Sequence, residues 1–344
     1  MKFTTGFSIL LAGAALSFTP AARAGITMKW AAQTGTADRI AVGASNIPWI
    51  LLRRTGEVAY GMPAYACSGG LCFPTGTTKW TNVHGHGTAI AVDRAGWPFT
   101  MEGNVLSFFN WPGSGSSWVS TPTTVTGGGT ACFSSFAVAE ETQRPITGIF
   151  PSHDTGGPTP VLPLFWGIDC SPDENLWRLD ANLTANPFLG QYTWSTKQWT
   201  PVDIGDHHVA LFSTNNGQVV VENPWVASDG GVYAYNGSSF THINVPGYVT
   251  DITDHYILTS AGVYEWTSTG DIYGSTATGN TSRDWRKVAG QTPNAPRFPL
   301  SQIAYSSAIV YSNDFGQSGP SRLWGIDTIG TIYELLPFDD GVVK

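Results

Sequence analysis

Charged residues are scarce in this chain, and cations are scarcer than acids. Only 12% of the 344 residues are charged, about half the share in an average soluble protein. The 17 Lys and Arg residues stand against 25 Asp and Glu, which gives a net charge of −8 at pH 7, and no basic run is longer than Arg53-Arg54. Because contacts to phosphates need clustered cations, the composition excludes a nucleic-acid-binding protein.

Long apolar runs are missing as well. No segment approaches the ~18 apolar residues of a membrane-spanning helix. The N-terminal run over 7–18 is shorter, follows Lys2 and ends before Ala22-Arg23-Ala24, which matches the small-x-small pattern of a signal-peptide cleavage site. We therefore predict a signal peptide over 1–24, cleaved near Ala24, and a single domain over 25–344 that is secreted or periplasmic. The alternative is an N-terminus that stays tethered to the membrane.

Cysteine is sparse, with four residues that can pair in three ways in an exported protein. Cys67 and Cys72 flank a short Ser-Gly-Gly-Leu turn, and their pairing leaves Cys132 and Cys170 for each other. The alternative is that the thiols are free and buried. No Cys or His spacing matches a structural zinc site, so we expect neither a metal nor a cofactor.

Short apolar runs rich in Val, Ile, Tyr and Trp alternate with Gly, Pro, Ser, Thr and Asn, a pattern typical of many short strands. One short unit recurs. It begins with Gly or Asn, continues with an aliphatic or aromatic pair, and has a large apolar residue such as Tyr, Trp or Phe near its end. Its six copies are GEVAY (56–60), GNVLSF (103–108), NLWRLD (175–180), GGVYAY (230–235), AGVYEW (261–266) and GTIYEL (330–335). Further strand-like segments flank most copies, which predicts four strands per unit. The third and sixth units also share LFWGIDC (164–170) and LWGIDT (323–328).

Units of this size are typical of the blades of a β-propeller. The sequence therefore predicts an all-β chain that forms a six-bladed β-propeller of four-stranded antiparallel blades. The last unit lacks its fourth strand, while an extra strand, ITMKWAA (26–32), stands at the N-terminus. We expect this N-terminal strand to close the last blade by pairing 28–32 with 331–335, which removes exposed sheet edges. The repeated Trp, Tyr and Ile residues are expected in the core between blades rather than in a ligand site.

The repeated unit resembles the tectonin repeat. The closest stretch is KWTNVHGHGTAIAVDRAGWPFTMEGNVLSF (79–108), followed by RIAVGASNIPWILLRRTGEVAY (39–60). The third unit departs from the pattern through long insertions, and the fifth has VTDIT (249–253) in place of IAVG. Tectonin-type proteins are six-bladed propellers, often secreted, that bind glycans or lipopolysaccharide at a cell surface. The resemblance implies that fold and a partner of that kind.

If strands a to d are counted outward from the axis, the d-to-a and b-to-c connections share one mouth of the propeller. Four histidines and several charged residues fall in these connections, on loops that a rigid scaffold would hold. They are His84, His86, Asp206, His207 and His208 in d-to-a connections, and Arg53, Arg54, Glu102, Asp173, Glu174 and Asp229 in b-to-c turns. Imidazole and carboxylate groups can bind a ligand, hold a metal or act as acid and base. The alternative is that these residues lie too far apart to converge.

Catalytic motifs are missing from the sequence. SHDTG (152–156) and SNDFG (312–316) resemble the start of the sialidase Asp-box, which is a structural turn, and there is no G-x-S-x-G elbow or H-E-x-x-H sequence. We therefore expect a non-enzymatic, lectin-like propeller that recognises a cell-surface glycan or lipopolysaccharide. Two alternatives remain. One is a protein-interaction propeller with a partner in the cell envelope, and the other is a lyase or hydrolase that uses the histidines at the mouth.

Overall fold

The regular structure of the chain consists of β-strands. The computed structural model describes residues 27–43, 47–68, 71–92, 96–110, 117–125, 132–140, 163–171, 175–180, 183–186, 191–194, 198–202, 209–215, 220–228, 230–235, 239–253, 256–266, 285–289, 298–306 and 322–338. Every regular element in these ranges is a strand, which confirms the all-β prediction. Within the same ranges, no helix is long and apolar enough to cross a membrane. The predicted signal peptide lies outside the described residues.

In chain order the strands are β1 (Thr27–Val42), β2 (Pro48–Leu52), β3 (Glu57–Ser68), β4 (Leu71–His86), β5 (Ala89–Val92), β6 (Pro98–Glu102), β7 (Val105–Asn110), β8 (Ser117–Pro122), β9 (Thr124–Val125), β10 (Phe133–Glu140), β11 (Pro163–Asp169), β12 (Leu176–Asp180), β13 (Leu183–Asn186), β14 (Gln191–Trp194), β15 (Gln198–Val202), β16 (Val209–Asn215), β17 (Val220–Ser228), β18 (Gly231–Tyr235), β19 (Phe240–Ile243), β20 (Val249–Thr253), β21 (Tyr256–Thr259), β22 (Gly262–Trp266), β23 (Trp285–Ala289), β24 (Leu300–Ser306), β25 (Arg322–Asp327) and β26 (Thr331–Phe338).

The first and last units meet in one sheet of seven strands, in the order β24, β25, β26, β1, β2, β3, β4. The first half of β1 pairs antiparallel with β26, with Trp30 opposite Leu335, and the second half pairs with β2, with Ile40 opposite Ile50. The expected pairing of the N-terminal strand with the last strand is therefore present, and residues 28–32 lie opposite 333–337. The two units were expected to form separate four-stranded sheets, and they do not, because one continuous strand serves both.

Three further units form the expected four-stranded antiparallel sheets: β5 to β8, β16 to β19 and β20 to β23. The third unit differs. Its sheet has five strands, β10, β11, β12, β15 and β9, and β9 lies parallel to β15 at the edge. A separate two-stranded ribbon, β13 with β14, lies in the chain between β12 and β15. This ribbon accounts for part of the insertion that the sequence shows in this unit.

Six strands, which we call the inner strands, connect the sheets to one another. They are β1, β5, β10, β16, β20 and β24; each contacts the next in this order, and β24 contacts β1. The contacts among the inner strands therefore follow an unbroken cyclic order.

The repeated aromatic residues fill the space between neighbouring sheets. Four tryptophans at the same place in the second strand of their units are at most 2% exposed: Trp49, Trp166, Trp225 and Trp324. Rings from adjacent sheets meet edge to face, as Phe99 does with Phe165 at a centroid distance of 5.1 Å. This geometry suits the quadrupoles of aromatic rings. The prediction that these aromatics form the core is confirmed for these residues.

A β-bulge recurs in four inner strands, β1, β10, β20 and β24. The register shifts by one residue between Ala37 and Arg39, and the same shift recurs in β10, β20 and β24. The hydroxyls of the bulge residues Ser134, Thr250 and Ser301 donate to carbonyls of the second strand at 3.2–3.4 Å. A bulge re-aims the residue that follows it. The residues that follow are Arg39, Ser135, Asp251 and Gln302.

The shared WGID sequence of the third and sixth units places a carboxylate in the turn after the second strand. Asp327 is 2% exposed and accepts hydrogen bonds from the N–H groups of Ile329 and Thr331 at 3.0 and 2.8 Å, and from the Tyr333 hydroxyl at 3.0 Å. Asp169 holds the equivalent turn, and its Oδ2 accepts from the indole N–H of Trp177 at 2.9 Å. Each aspartate therefore takes up backbone donors that the turn leaves unpaired.

A disulfide closes the same end of the third unit. Cys132 and Cys170 are bonded, with their Cα atoms 5.3 Å apart, and Cys170 N–H donates to Cys132 O at 2.9 Å. This confirms one predicted bridge. Cys67 and Cys72 are register partners in the β3–β4 pair, a spacing that suits a second bridge, but their side chains lie outside the described part of the structure.

Candidate functional site

The connections into the inner strands and the turns after the second strands lie on one side of the molecule, which we call the loop face. Hydrogen bonds join the two sets of loops. Ala37 N–H donates to Gly330 O at 2.9 Å, Gly87 N–H to Gly56 O at 3.1 Å, and Val249 N–H to Gly230 O at 2.9 Å. The d-to-a and b-to-c connections therefore share a side in three separate units.

Five of the residues predicted for this face are described: Arg53, Arg54, His84, His86 and Glu102. The other six, Asp173, Glu174, Asp206, His207, His208 and Asp229, lie outside the described residues. Within the described ranges, no three His, Cys, Asp or Glu side chains are grouped so that they could hold a metal ion.

His84 and His86 were expected in a connection, and this was wrong because β4 continues through His86. The end of the strand is shaped by packing. Trp118 donates its indole N–H to Val83 O at 3.0 Å, and a side chain on Gly85 would meet the Trp118 ring at 2.1 Å. His84 has a left-handed φ of 58°, and its N–H donates to Asn82 Oδ1 at 2.7 Å. Both histidines are exposed, so they remain available to a ligand.

The loop face carries exposed apolar side chains that the sequence patterns did not indicate. Tyr248 is 60% exposed and directly precedes β20, Phe298 is 39% exposed and lies just before β24, and Ile329 is 42% exposed in the turn after β25. Because β20 and β24 are neighbouring inner strands, Tyr248 and Phe298 border the same part of the face. We call the two rings of Tyr248 and Phe298, together with the aliphatic Ile329, the aromatic sector. Their positions in loops of the predicted mouth were a usable signal, but an aromatic residue by itself predicts burial.

Contacts with neighbouring loops hold the aromatic sector in place. Tyr248 O accepts the N–H of Ser260 at 3.0 Å, and Pro299 O accepts the N–H of Thr328 at 3.1 Å. One side of the Tyr248 ring packs against Gly230, where an added Cβ would lie 2.3 Å from the ring. A ring that is packed on one side and 60% exposed overall presents a flat apolar surface to solvent.

Arg53 adds a positive charge beside this sector. Its side chain lies against the Ile329–Gly330 turn, since a Cβ on Gly330 would meet Arg53 Cδ at 2.9 Å. It also forms a loose ion pair with Asp38, with Nε to Oδ1 at 3.7 Å, and both side chains are well exposed. Such a pair contributes little to stability. The guanidinium therefore keeps donors that can serve a ligand.

A second polar group lies where the inner strands meet. Arg39 of β1 donates from Nη2 to Ser134 O of β10 at 3.4 Å and from Nη1 to Asp38 O at 3.0 Å. Gln302 Oε1 of β24 accepts the Ile40 N–H of β1 at 3.0 Å. Asp251 Oδ2 of β20 accepts the Ile303 N–H of β24 at 2.6 Å. We call Arg39, Asp251 and Gln302 the central cluster.

The carboxyl of Asp251 is enclosed, although the residue as a whole keeps some accessible surface. Burial raises the pKa of Asp251 to about 7, while the N–H groups of Ile303 and Ile252 and the charge of Arg39 act in the opposite direction. The residue nonetheless keeps accessible surface, as Arg39 and Gln302 do.

No protein-family model matches the chain, and no curated protein matches it. Among solved structures the chain is similar to a candidate gluconolactonase, with 12% identity over 91% of this chain and 93% of that one and a TM-score of 0.43. It is also similar to BBS1N in a complex with ARL6DN, with 9% identity over 92% and 99% of the two chains and a TM-score of 0.38. Both similar structures are propeller-like. With TM-scores below 0.5, neither similarity indicates what this chain binds or does.

Proposed function

We propose that this chain is a secreted, closed six-bladed β-propeller that binds carbohydrate on its loop face without catalysing a reaction. The cyclic order of contacts among the inner strands supports closure. In this arrangement the seven-stranded sheet is the first and last blades, joined by the continuous β1. The resemblance of the repeats to tectonin repeats agrees with both the fold and the ligand class.

The flat, exposed ring of Tyr248 carries the proposal. Sugar-binding sites place an aromatic face against the apolar C–H side of a pyranose and use charged or amide groups for its hydroxyls. Gly230 supports one side of the Tyr248 ring, so binding would require little ordering of that side chain. Low ordering cost favours affinity.

Polar groups beside the aromatic sector would serve the hydroxyls. Arg53 and Asp38 offer N–H donors and carboxylate acceptors at the edge of the Ile329 turn, and Arg54 is exposed on the same turn as Arg53. His84, His86 and Glu102 would contact a longer chain of sugars. Six predicted residues lie outside the described ranges. Five of them, all except Glu174, keep the same proposed role: Asp173, Asp206, His207, His208 and Asp229.

A glycan array followed by calorimetric titration tests the proposal. We expect residues 25–344 to bind at least one glycan, Tyr248→Ala to weaken that binding about tenfold, and Tyr248→Phe to keep it, because Phe retains the ring. Val119→Ala is the matched control, since Val119 is an exposed apolar residue of the outer strand β8. Failure to bind any glycan at millimolar concentration, or equal binding by Tyr248→Ala, would overturn the proposal.

A protein-docking surface is the second candidate, and Ile329 favours it. A sugar does not need an aliphatic side chain that is 42% exposed, whereas exposed apolar groups are typical of protein interfaces. Substituting Ile329→Ser separates the candidates. Glycan affinity should stay unchanged if the face binds sugar, whereas capture of an envelope protein by the wild-type chain and its loss in Ile329→Ser would support docking.

A further inference from the structure

The guanidinium of Arg39 lies close to the axis on which the inner strands converge. It belongs to β1, donates to Ser134 of β10 and interacts electrostatically with Asp251 of β20. These three strands alternate around the cyclic order of inner strands, with β5, β16 and β24 between them. In the closed propeller proposed above, a side chain that leaves β1, reaches β10 past the intervening β5 and whose charge acts on β20 lies near the axis.

The opposite charges in the central cluster do not form an ion pair. The nitrogen atoms of Arg39 and the oxygen atoms of Asp251 are more than 4.0 Å apart, since no salt bridge joins these two described residues. The guanidinium and the carboxyl therefore keep hydrogen-bonding capacity that they do not use on each other. A backbone contact to another strand also holds each side chain. Arg39 donates to Ser134 O of β10, and Asp251 accepts the Ile303 N–H of β24.

Gln302 adds donors at the same place. Its Oε1 is held by the Ile40 N–H, which leaves the amide N–H groups on the other arm of the side chain. Among the described residues, Gln302 Nε2 has no hydrogen-bond partner. The centre thus combines guanidinium and amide donors with one carboxyl acceptor.

We propose that the central cluster binds a small organic carboxylate that also carries a hydroxyl or ammonium group. The carboxylate of the ligand would pair with Arg39, whose planar fork suits two parallel N–H···O bonds, and with the amide of Gln302. The hydroxyl or ammonium group would donate to Asp251. This site is separate from the aromatic sector and does not depend on carbohydrate binding.

The charges on the two sides define the ligand class. Once Asp251 is ionised, a carboxylate without a second donor would leave it without a hydrogen bond and would be repelled by it. A metal cation would meet the charge of Arg39 and only one carboxylate, whereas oxygen-binding cations take several oxygen ligands. A bifunctional organic anion satisfies both sides.

Two pairs of small probes test the proposal by calorimetry and ligand-detected NMR on residues 25–344 at pH ~8, where Asp251 is mostly ionised. Glycolate is compared with acetate, which lacks the hydroxyl, and glycine is compared with ethanolamine, which lacks the carboxylate. We expect glycolate or glycine to bind in the millimolar range and both one-ended probes to bind at least about tenfold more weakly. Equal binding of acetate and glycolate, or no binding of any probe at about 10 mM, would overturn the proposal.

Substitutions locate the binding. Arg39→Gln should weaken the best probe at least about tenfold, because it removes a charge-assisted contact. Arg286→Gln is the matched control. Arg286 is an exposed residue of the outer strand β23, where it pairs with Glu265 of β22. Melting curves check that each variant is folded.

Asp251→Asn, which can still accept the Ile303 N–H, should weaken the binding of glycine about tenfold and leave the melting temperature at pH ~6 nearly unchanged. Full affinity in either central variant would contradict the assignment.

Discussion

The ring of Tyr248 lies directly over Gly230, and the two residues come from neighbouring units. A Cβ on Gly230 would lie 2.3 Å from Tyr248 Cδ2, and Gly230 has a left-handed φ of 71°. The Val249 N–H, next in the chain to Tyr248, donates to Gly230 O at 2.9 Å. The exposed ring and the glycine beneath it therefore form one unit of structure.

We predict that Gly230→Ala displaces Tyr248. The substitution costs about 1 kcal/mol for the left-handed backbone, with a further cost for moving the ring. Its effect on glycan affinity should match that of Tyr248→Ala. Gly103→Ala is the control, since Gly103 has a φ of 59° and a Cβ placed there would have nothing within 4 Å. If Gly230→Ala loses no more stability than Gly103→Ala and keeps full affinity, the ring does not depend on Gly230.

Asp327 should be one of the most sensitive turn residues of the chain. Asp327→Ala leaves the N–H groups of Ile329 and Thr331 and the Tyr333 hydroxyl without their acceptor. An unsatisfied buried donor costs about 1–3 kcal/mol, so we expect a loss of about 2–4 kcal/mol in denaturant unfolding. Glu102→Ala, at the exposed end of β6, should change stability by less than about 0.5 kcal/mol. Equal effects of the two substitutions would contradict this role for Asp327.

Asp169, which holds the equivalent turn in the third unit, should make the stability of the chain depend on pH in the acid range. Burial alone would raise the pKa of Asp169, but side-chain hydrogen bonds, led by the one from Ser171, outweigh burial and lower the pKa below its usual value. The stabilisation is therefore complete above pH ~4 and is lost as the pH falls through the folded-state pKa. Asp169→Asn should be less stable than the wild type at pH ~7, and the gap should narrow below pH ~4. A gap that stays constant down to pH ~2 would show that the carboxylate charge is not involved.

Asp251 should have the opposite dependence on pH. Its pKa is raised from the usual value to about 7 by burial, so the folded state holds a proton that the unfolded state releases. Its contribution to stability is complete below pH ~4 and is lost as the pH rises through about 7. The positive charge of Arg39 lowers the pKa of Asp251 and so limits this loss of stability. We expect Asp251→Asn to flatten the fall in unfolding free energy between about pH 4 and 7. An unchanged pH profile would contradict an enclosed Asp251.

The Cys132–Cys170 disulfide should stabilise the third unit. It closes a loop with a sequence separation of 38, for which the chain-entropy model gives about 3–4 kcal/mol. The double substitution Cys132→Ser, Cys170→Ser should lose that amount in denaturant unfolding. The matched pair Cys67→Ser, Cys72→Ser removes the predicted shorter bridge and should cost about 2 kcal/mol. Identical stability of wild type and the first double variant would show that the bridge does not form.

The sequence predicted the parts of the fold that repeat. The leftover strand at each end predicted the pairing of β1 with β26, and the repeated aromatic positions predicted the buried Trp49 and Trp324. It did not predict that one strand would serve two units, although the link from Ala32 to Ala37 has no turn residue other than Gly35. The role of Asp327 also required the structure, since the WGID pattern shows a shared residue but not its partners.

The candidate site was harder to predict than the fold. The strand repeat placed the correct loops on one face, but selecting residues by their charge missed Tyr248, whose exposure depends on packing against Gly230 from another unit. Arg39 and Asp251 were missed for a related reason. A one-residue bulge precedes each of them, and bulges leave no clear mark in hydrophobic alternation.

Mapping a bound glycan by amide NMR tests the central claim most directly. A deuterated, ¹⁵N-labelled chain would be titrated with the strongest glycan from the array. We predict that the largest shifts fall at Gly230, Tyr248 and Ile329, with the amide of Val119 unmoved. Shifts grouped on the outer strand around Val119, or none at saturating glycan, would contradict carbohydrate binding on the loop face.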